Sequence, residues 1–242
     1  MIQYAILYNV FCCWMVTVVA LSTARHIFVY RSHDPVDRAF AQFWFLAALM
    51  WAVSGTRLLW HFLEMPSLDR LFFYIVQAIL VMHIVPATLH VLLKLTDSAL
   101  IVFFGMVTAM ALGALSFYFT IVDGVTYMGA TVWASEYELS TRAFYSMFPV
   151  VPFCILGSVV DLAQTFFDPS SAARRRGAWS WASLVILMYF AVGVTDAAGL
   201  WNDWRLLATR AVYLIAAVVA YAAYTWSMRD DELAALMGTG IQ

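Results

Sequence analysis

Residues 39–63, AFAQFWFLAALMWAVSGTRLLWHFL, and residues 68–95, LDRLFFYIVQAILVMHIVPATLHVLLKL, decide the fold class. Each exceeds the roughly 20 predominantly apolar residues that an α-helix needs to cross about 30 Å of hydrocarbon. Only the turn Glu64-Met65-Pro66-Ser67 lies between them. Working outward with the same criterion gives further spans at 4–30, 98–121, 140–167, 178–200 and 204–228. The expectation is an all-α, polytopic membrane protein: one seven-helix transmembrane domain covering residues 1–242.

Composition agrees. Apolar residues make up 64% of the chain, charged residues 12%, and the mean hydropathy is +0.82, outside the range of soluble domains. A net charge of −2 gives no footprint for nucleic acid. Cys12, Cys13 and Cys154 all fall inside spans, without metal-ligand spacing, and read as small apolar residues.

Loop charges alternate. Arg25, Arg31, Arg38, Lys94, Arg174-Arg175-Arg176 and Arg229 belong to one side. The other carries Arg70, Arg142 and Arg205 among Glu64, Asp69, Asp123, Glu136, Glu138 and Asp203. Lys/Arg excess marks the cytoplasmic face, which puts the N-terminus outside and the C-terminus in the cytoplasm. The first span lacks a basic leader and a small-residue cleavage site, so it reads as an anchor. Short connections make consecutive helices antiparallel neighbours. The longest, 122–139, lies outside and mixes turn formers, aromatics and acids.

Ionisable residues at membrane depth are the default site candidates. Arg57 lies about 9 Å inside the outer end of the second span, with His61 one turn further out on the same face. Arg210 sits at similar depth in the last span, and Asp196, beside Thr195, one turn inside the end of the sixth. Trp60, Trp201, Trp204 and Tyr127 share this level. Two arginines against one aspartate suit an anionic guest through charge-assisted hydrogen bonds. The plainer reading is an Asp196–arginine pair that holds helices together, within an interfacial tryptophan belt. Pro86, Pro149 and Pro152 should bend the third and fifth spans.

Other chemistries fit less well. A retinal Schiff base needs a lysine in the last span, and the only lysine is Lys94, in the third. A b-type haem needs two axial histidines. His26 and His90 match in depth, whereas His83 and His90 lie on one face about 10 Å apart and could not share one iron. No cofactor is therefore expected, haem b at His26 and His90 being the alternative. No metalloprotease, nucleophile-elbow or paired-acid motif is present, so no enzyme is expected. Asp161 reads as an interfacial or helix-contact acid, and no inverted repeat points to a transporter.

The order of 39–96, with an aromatic second span bearing Trp51, an outer turn, and a third span with Pro86 two-thirds through, resembles the seven-helix N-terminal sensor region of bacterial histidine kinases and diguanylate cyclases. The acidic-aromatic outer loop and the basic inner loop are similar too. No kinase or cyclase follows the last span, where only RDDELAALMGTGIQ (229–242) remains. The resemblance implies a stand-alone receptor-like module in the bacterial inner membrane, sensing a small or lipid-like ligand from outside and acting through a protein partner. A non-catalytic subunit of a larger membrane complex is the alternative; a cytochrome or transporter ranks below both.

Overall fold

Asp34-Pro35 shows how the sequence starts a helix here. The Asp34 carboxylate accepts the Val36 N–H at 2.8 Å, and Pro35 fills the first helical position, where no N–H is needed. The computed structural model describes the backbone of residues 3–167, 178–197 and 205–238, and the side chains of 4–167, 181–194 and 205–226. Among them are eight α-helices: α1 (Gln3–Tyr30), α2 (Pro35–Phe62), α3 (Pro66–Leu95), α4 (Ala99–Val122), α5 (Thr141–Met147), α6 (Val150–Phe167), α7 (Ala178–Ala197) and α8 (Arg205–Gly238). An antiparallel hairpin, β1 (Val125–Ala130) with β2 (Ser135–Leu139), interrupts them.

Among the described residues, six helical segments are long and apolar enough to cross a membrane: α1 to α4, α5 with α6, and α8; α7 contributes the shorter apolar run Trp181–Val194. Within the described residues, the stretches read from the sequence as spans are helices, with three differences. The fifth divides at Phe148-Pro149, because proline cannot continue the hydrogen-bond ladder of α5. Pro86, in contrast, lies inside a helix that continues through it. The last helix runs on to Gly238, through the helix formers Glu232-Leu233-Ala234-Ala235-Leu236-Met237. The third departure is the 122–139 segment, which is a paired hairpin and not a loop. Val125, Thr126, Tyr127 and Tyr137 favour strands, Gly124 (φ 73°) makes the entry turn, and Gly129 (φ 122°) lies where the register shifts. The fold is an α-bundle with one β-hairpin at one end.

Helix α2 is central. Phe40, Phe43 and Trp44 are fully buried, and the Trp51 indole donates to the Tyr189 hydroxyl of α7 at 3.0 Å. Tyr189 in turn lies 4.8 Å from Tyr213 of α8, ring centre to ring centre. Thr23 of α1 donates to the Ala217 carbonyl of α8, joining the first and last helices. On α3, Val91 packs into a gap left by Gly157 of α6, where a Cβ would overlap its Cγ1.

That contact sets up a buried ion pair at the end opposite the hairpin. Lys94 Nζ lies 2.6 Å from Asp161 Oδ2, and both Nζ and that oxygen bond the Ser183 hydroxyl of α7, at 2.6 and 2.7 Å. Both charged side chains are 3% exposed. The two residues read as a loop-side cation and a helix-contact acid therefore tie three helices together. Nearby, the Tyr224 hydroxyl of α8 donates to buried Asp37 at 2.8 Å, with Arg31 3.9 Å from the same carboxylate.

Removing one partner of a buried pair strands the other, so Asp161→Leu should lower unfolding stability in detergent by about 3–5 kcal/mol. The double variant Lys94→Met/Asp161→Leu should recover most of that loss, and a double-mutant cycle of thermal unfolding checks it.

Candidate functional site at the hairpin end

The turn from α2 to α3 is tight: Met65 N–H bonds the Trp60 carbonyl at 2.9 Å, Glu64 N–H bonds His61 O at 3.0 Å, and Glu64 takes φ 58°. Pro66 then opens α3. This reversal sets the first turn of α3 beside the last two turns of α2, bringing Asp69 to Arg57 and His61. A carboxylate in a first turn also suits the helix dipole.

Asp69 is 1% exposed and has four side-chain neighbours. Its Oδ1 accepts from the Ser135 hydroxyl at 3.1 Å and lies 3.9 Å from Arg57 Nε. Its Oδ2 accepts from the Tyr137 hydroxyl at 3.0 Å, with His61 Nδ1 at 3.6 Å. Ser135 and Tyr137 belong to β2, so Asp69 fastens the hairpin to the helices. Arg57 Nη2 donates to the Ser135 carbonyl at 3.2 Å, and its guanidinium stands 5.5 and 5.8 Å from the Phe73 and Tyr137 ring centres.

Arg210 reaches the same hairpin indirectly. Its Nε donates to Asn9 Oδ1 at 3.4 Å, Asn9 Nδ2 donates to the Trp133 carbonyl at 3.0 Å, and the guanidinium lies 4.9 Å from the Trp51 ring centre. Arg142 pairs with Asp123 across the hairpin neck.

Of the residues singled out from sequence, Arg57 and His61 thus meet on Asp69, and Arg210 joins them through Asn9 and residues 133–135 of the hairpin. Trp60 faces elsewhere, edge-on to Phe72 at 6.1 Å. The side chains of Thr195 and Asp196, and all of Trp201 and Trp204, lie outside what the structure describes. The acid that Arg57 meets among the described residues is Asp69, which its place at the very start of the third span disguised as a loop acid. Its signal in the sequence was its position: an acid in the first turn of a helix, twelve residues after Arg57 and eight after His61 across a tight reversal.

The haem alternative rested on His26 and His90, whose neighbours differ. His26 lies against Tyr30 and Tyr221, at 4.9 and 5.8 Å between ring centres. His90 Nδ1 donates to the Val36 carbonyl at 3.0 Å, and its ring lies 5.0 Å from that of Phe40. Among the described residues, no group of three His, Cys, Asp or Glu side chains converges as a metal site.

Beside Asp69 opens a cleft of about 880 Å³, within the size range of small-molecule sites. Tyr127, Tyr137, His61, Glu64 and Arg70 give it polar edges, and Ile6, Phe62 and Met65 an apolar wall. Burial, and then the Asp69 charge, push the Tyr137 hydroxyl up to about 12.

No family model, curated protein or solved structure matches this chain.

Because the folded hairpin holds the Tyr137 proton, its contribution to stability is complete below pH 10 and disappears as pH rises through about 12. A difference titration of tyrosinate absorbance, wild type minus Tyr137→Phe, should show one ionisation near 12, and Asp69→Asn should move it down. Asp69→Asn should also speed amide hydrogen exchange across 125–139, the segment that carboxylate fastens.

Proposed function

We propose that this chain is a receptor-like seven-span module of a plasma membrane, with the N-terminus and hairpin outside and the C-terminus in the cytoplasm, that binds a small or lipid-like ligand in the cleft beside Asp69. The observation that carries this reading is shared use of one carboxylate: Tyr137 and His61 line the cleft and both lie on Asp69. A guest that engages either group competes with Asp69 for it. Binding then differs between two arrangements of hairpin and helices, which is what a ligand needs in order to shift an equilibrium.

The same residues give a route for the change. Asp69 is carried by α3 and Arg57 by α2, and both helices continue to the opposite end. There α2 bears Asp37, bonded to Tyr224, and α3 bears Lys94, bonded across to α6 and α7. A protein partner at the cytoplasmic end would read that movement. The alternating loop charges support the orientation.

A reporter after Gln242 should be cytoplasmic and one within 128–133 extracytoplasmic; the same side for both would remove the seven-span topology. Native mass spectrometry of protein purified in mild detergent should find a bound small molecule or lipid. Tyr127→Ala should lower its retention, leaving the melting temperature of the stripped protein nearly unchanged. Recovery of a stoichiometric protein partner with no small molecule would favour the complex-subunit reading instead.

A further inference from the structure

The charges that remain once the Asp69 cluster is balanced define what the cleft can accept. Asp69 faces Arg57, and the two charges offset each other beside the cleft, while Arg210 stands against Asn9 and Trp51, off the cleft lining. Two ionised side chains then remain on the lining, one of each sign. Glu64 sits exposed on the reversal between α2 and α3, and its carboxylate has no partner among the described residues. Arg70 donates one Nη2 proton to the Val125 carbonyl at 2.9 Å and has no acid partner among the described residues. The same lining carries two aromatic rings, Tyr127 and Tyr137, 5.4 Å apart centre to centre. Ring faces of this kind attract an ammonium group.

A purely anionic guest, the expectation drawn from counting arginines, would meet Arg70 but also Glu64. A purely cationic guest would have the reverse difficulty. A guest carrying both charges satisfies both, and the apolar wall of Ile6, Phe62 and Met65 adds a place for hydrocarbon.

We propose that the cleft binds a zwitterionic amphiphile, its ammonium at Glu64 and the Tyr127 ring, its phosphate or carboxylate at Arg70, and its hydrocarbon against Ile6, Phe62 and Met65. The inference rests on the ligand-binding reading above and gives that ligand a chemistry. A bilayer phospholipid of the phosphatidylethanolamine type and a free phosphoethanolamine-bearing solute share the headgroup and differ in the tail.

The test uses the full chain, stripped of lipid in a neutral detergent and titrated by tryptophan fluorescence with short-chain phosphatidylethanolamine and with phosphatidylglycerol of the same chain length. The ethanolamine lipid should bind about threefold tighter, the scale of one solvent-exposed charge contact. Glu64→Gln should abolish that preference, and Arg70→Gln should weaken both lipids. Because Arg70 also holds Val125, hydrogen exchange of the hairpin and the Arg70→Lys variant serve as controls: Arg70→Lys should keep lipid binding. Equal affinity of the wild type for both lipids, or a preference that survives Glu64→Gln, overturns the zwitterion assignment while leaving an amphiphile site in place. Absence of lipid binding, or binding untouched by Tyr127→Ala, overturns the ligand reading itself. Competition by glycerophosphoethanolamine at matching concentration would assign the site to a soluble solute, and failure to compete would assign it to the lipid; either result upholds the headgroup.

Discussion

A carboxylate taken out of water must be met by cations or hydrogen-bond donors, and burying one without them costs several kcal/mol. Three aspartates impose that constraint here, and the helix arrangement follows from it. Asp69 needs groups from α2 and the hairpin, Asp161 from α3 and α7, and Asp37 from α8. Each acid therefore fixes elements distant in sequence. The constraint matters more where helices are bathed in hydrocarbon, because apolar burial then gives little preference for one helix packing over another. Aromatic packing along α2 fills the interior, while the acids specify which helix ends meet.

Helix α3 concentrates this chemistry. Asp69, His83, His90 and Lys94 are all buried and, at about 100° per residue, fall within a sector of roughly 60°. The stripe is not continuous. Phe73, Val76 and Leu80 occupy the same side between Asp69 and His83 and leave a dry stretch of four turns. His83 itself is enclosed by rings, 4.5 Å from Phe43 and 5.2 Å from Tyr189, and neither of its nitrogens has a partner among the described residues. The two polar ends of α3 are thus separated by apolar packing. Any influence of one on the other must pass through the position of the helix and not through a chain of hydrogen bonds.

The long apolar helices were legible because hydropathy over 20 or more residues reports a property of the segment itself. Phe148-Pro149 was legible as a bend, since proline acts locally; that it divides the helix while Pro86 does not depends on surrounding packing. The hairpin was not legible: strand formers such as Val125 and Tyr137 compete with Gly124, Gly129 and several acids, and pairing is decided by a contact with Asp69. That contact joins residues 66 positions apart. Lys94 reads as a topology signal and Asp161 as a contact acid for a related reason: a charge near a span end does not show its partner, and the close approach of α6 to α3 at Gly157 is what joins these two in a buried pair. At the site, depth counting puts Arg57, His61 and Arg210 at one level, but depth carries no information on the angle around the bundle, and so none on the contact of Arg57 and His61 with Asp69.

The rigidity of α3 gives this arrangement its consequence. Val81 packs into the gap at Gly113 of α4, and Val91 into the gap at Gly157 of α6; in both places an added Cβ would collide with a stiff, branched side chain. These close fits hold the middle and far end of α3 against two neighbours. Its first turn is held differently, by polar bonds from Asp69 to groups that the cleft also exposes. Packed apolar contacts of this kind resist small displacements, whereas hydrogen bonds at an open cleft can be exchanged for bonds to a guest. That end of the bundle also displays Glu64 and Arg70, neither of which has an ion-pair partner among the described residues.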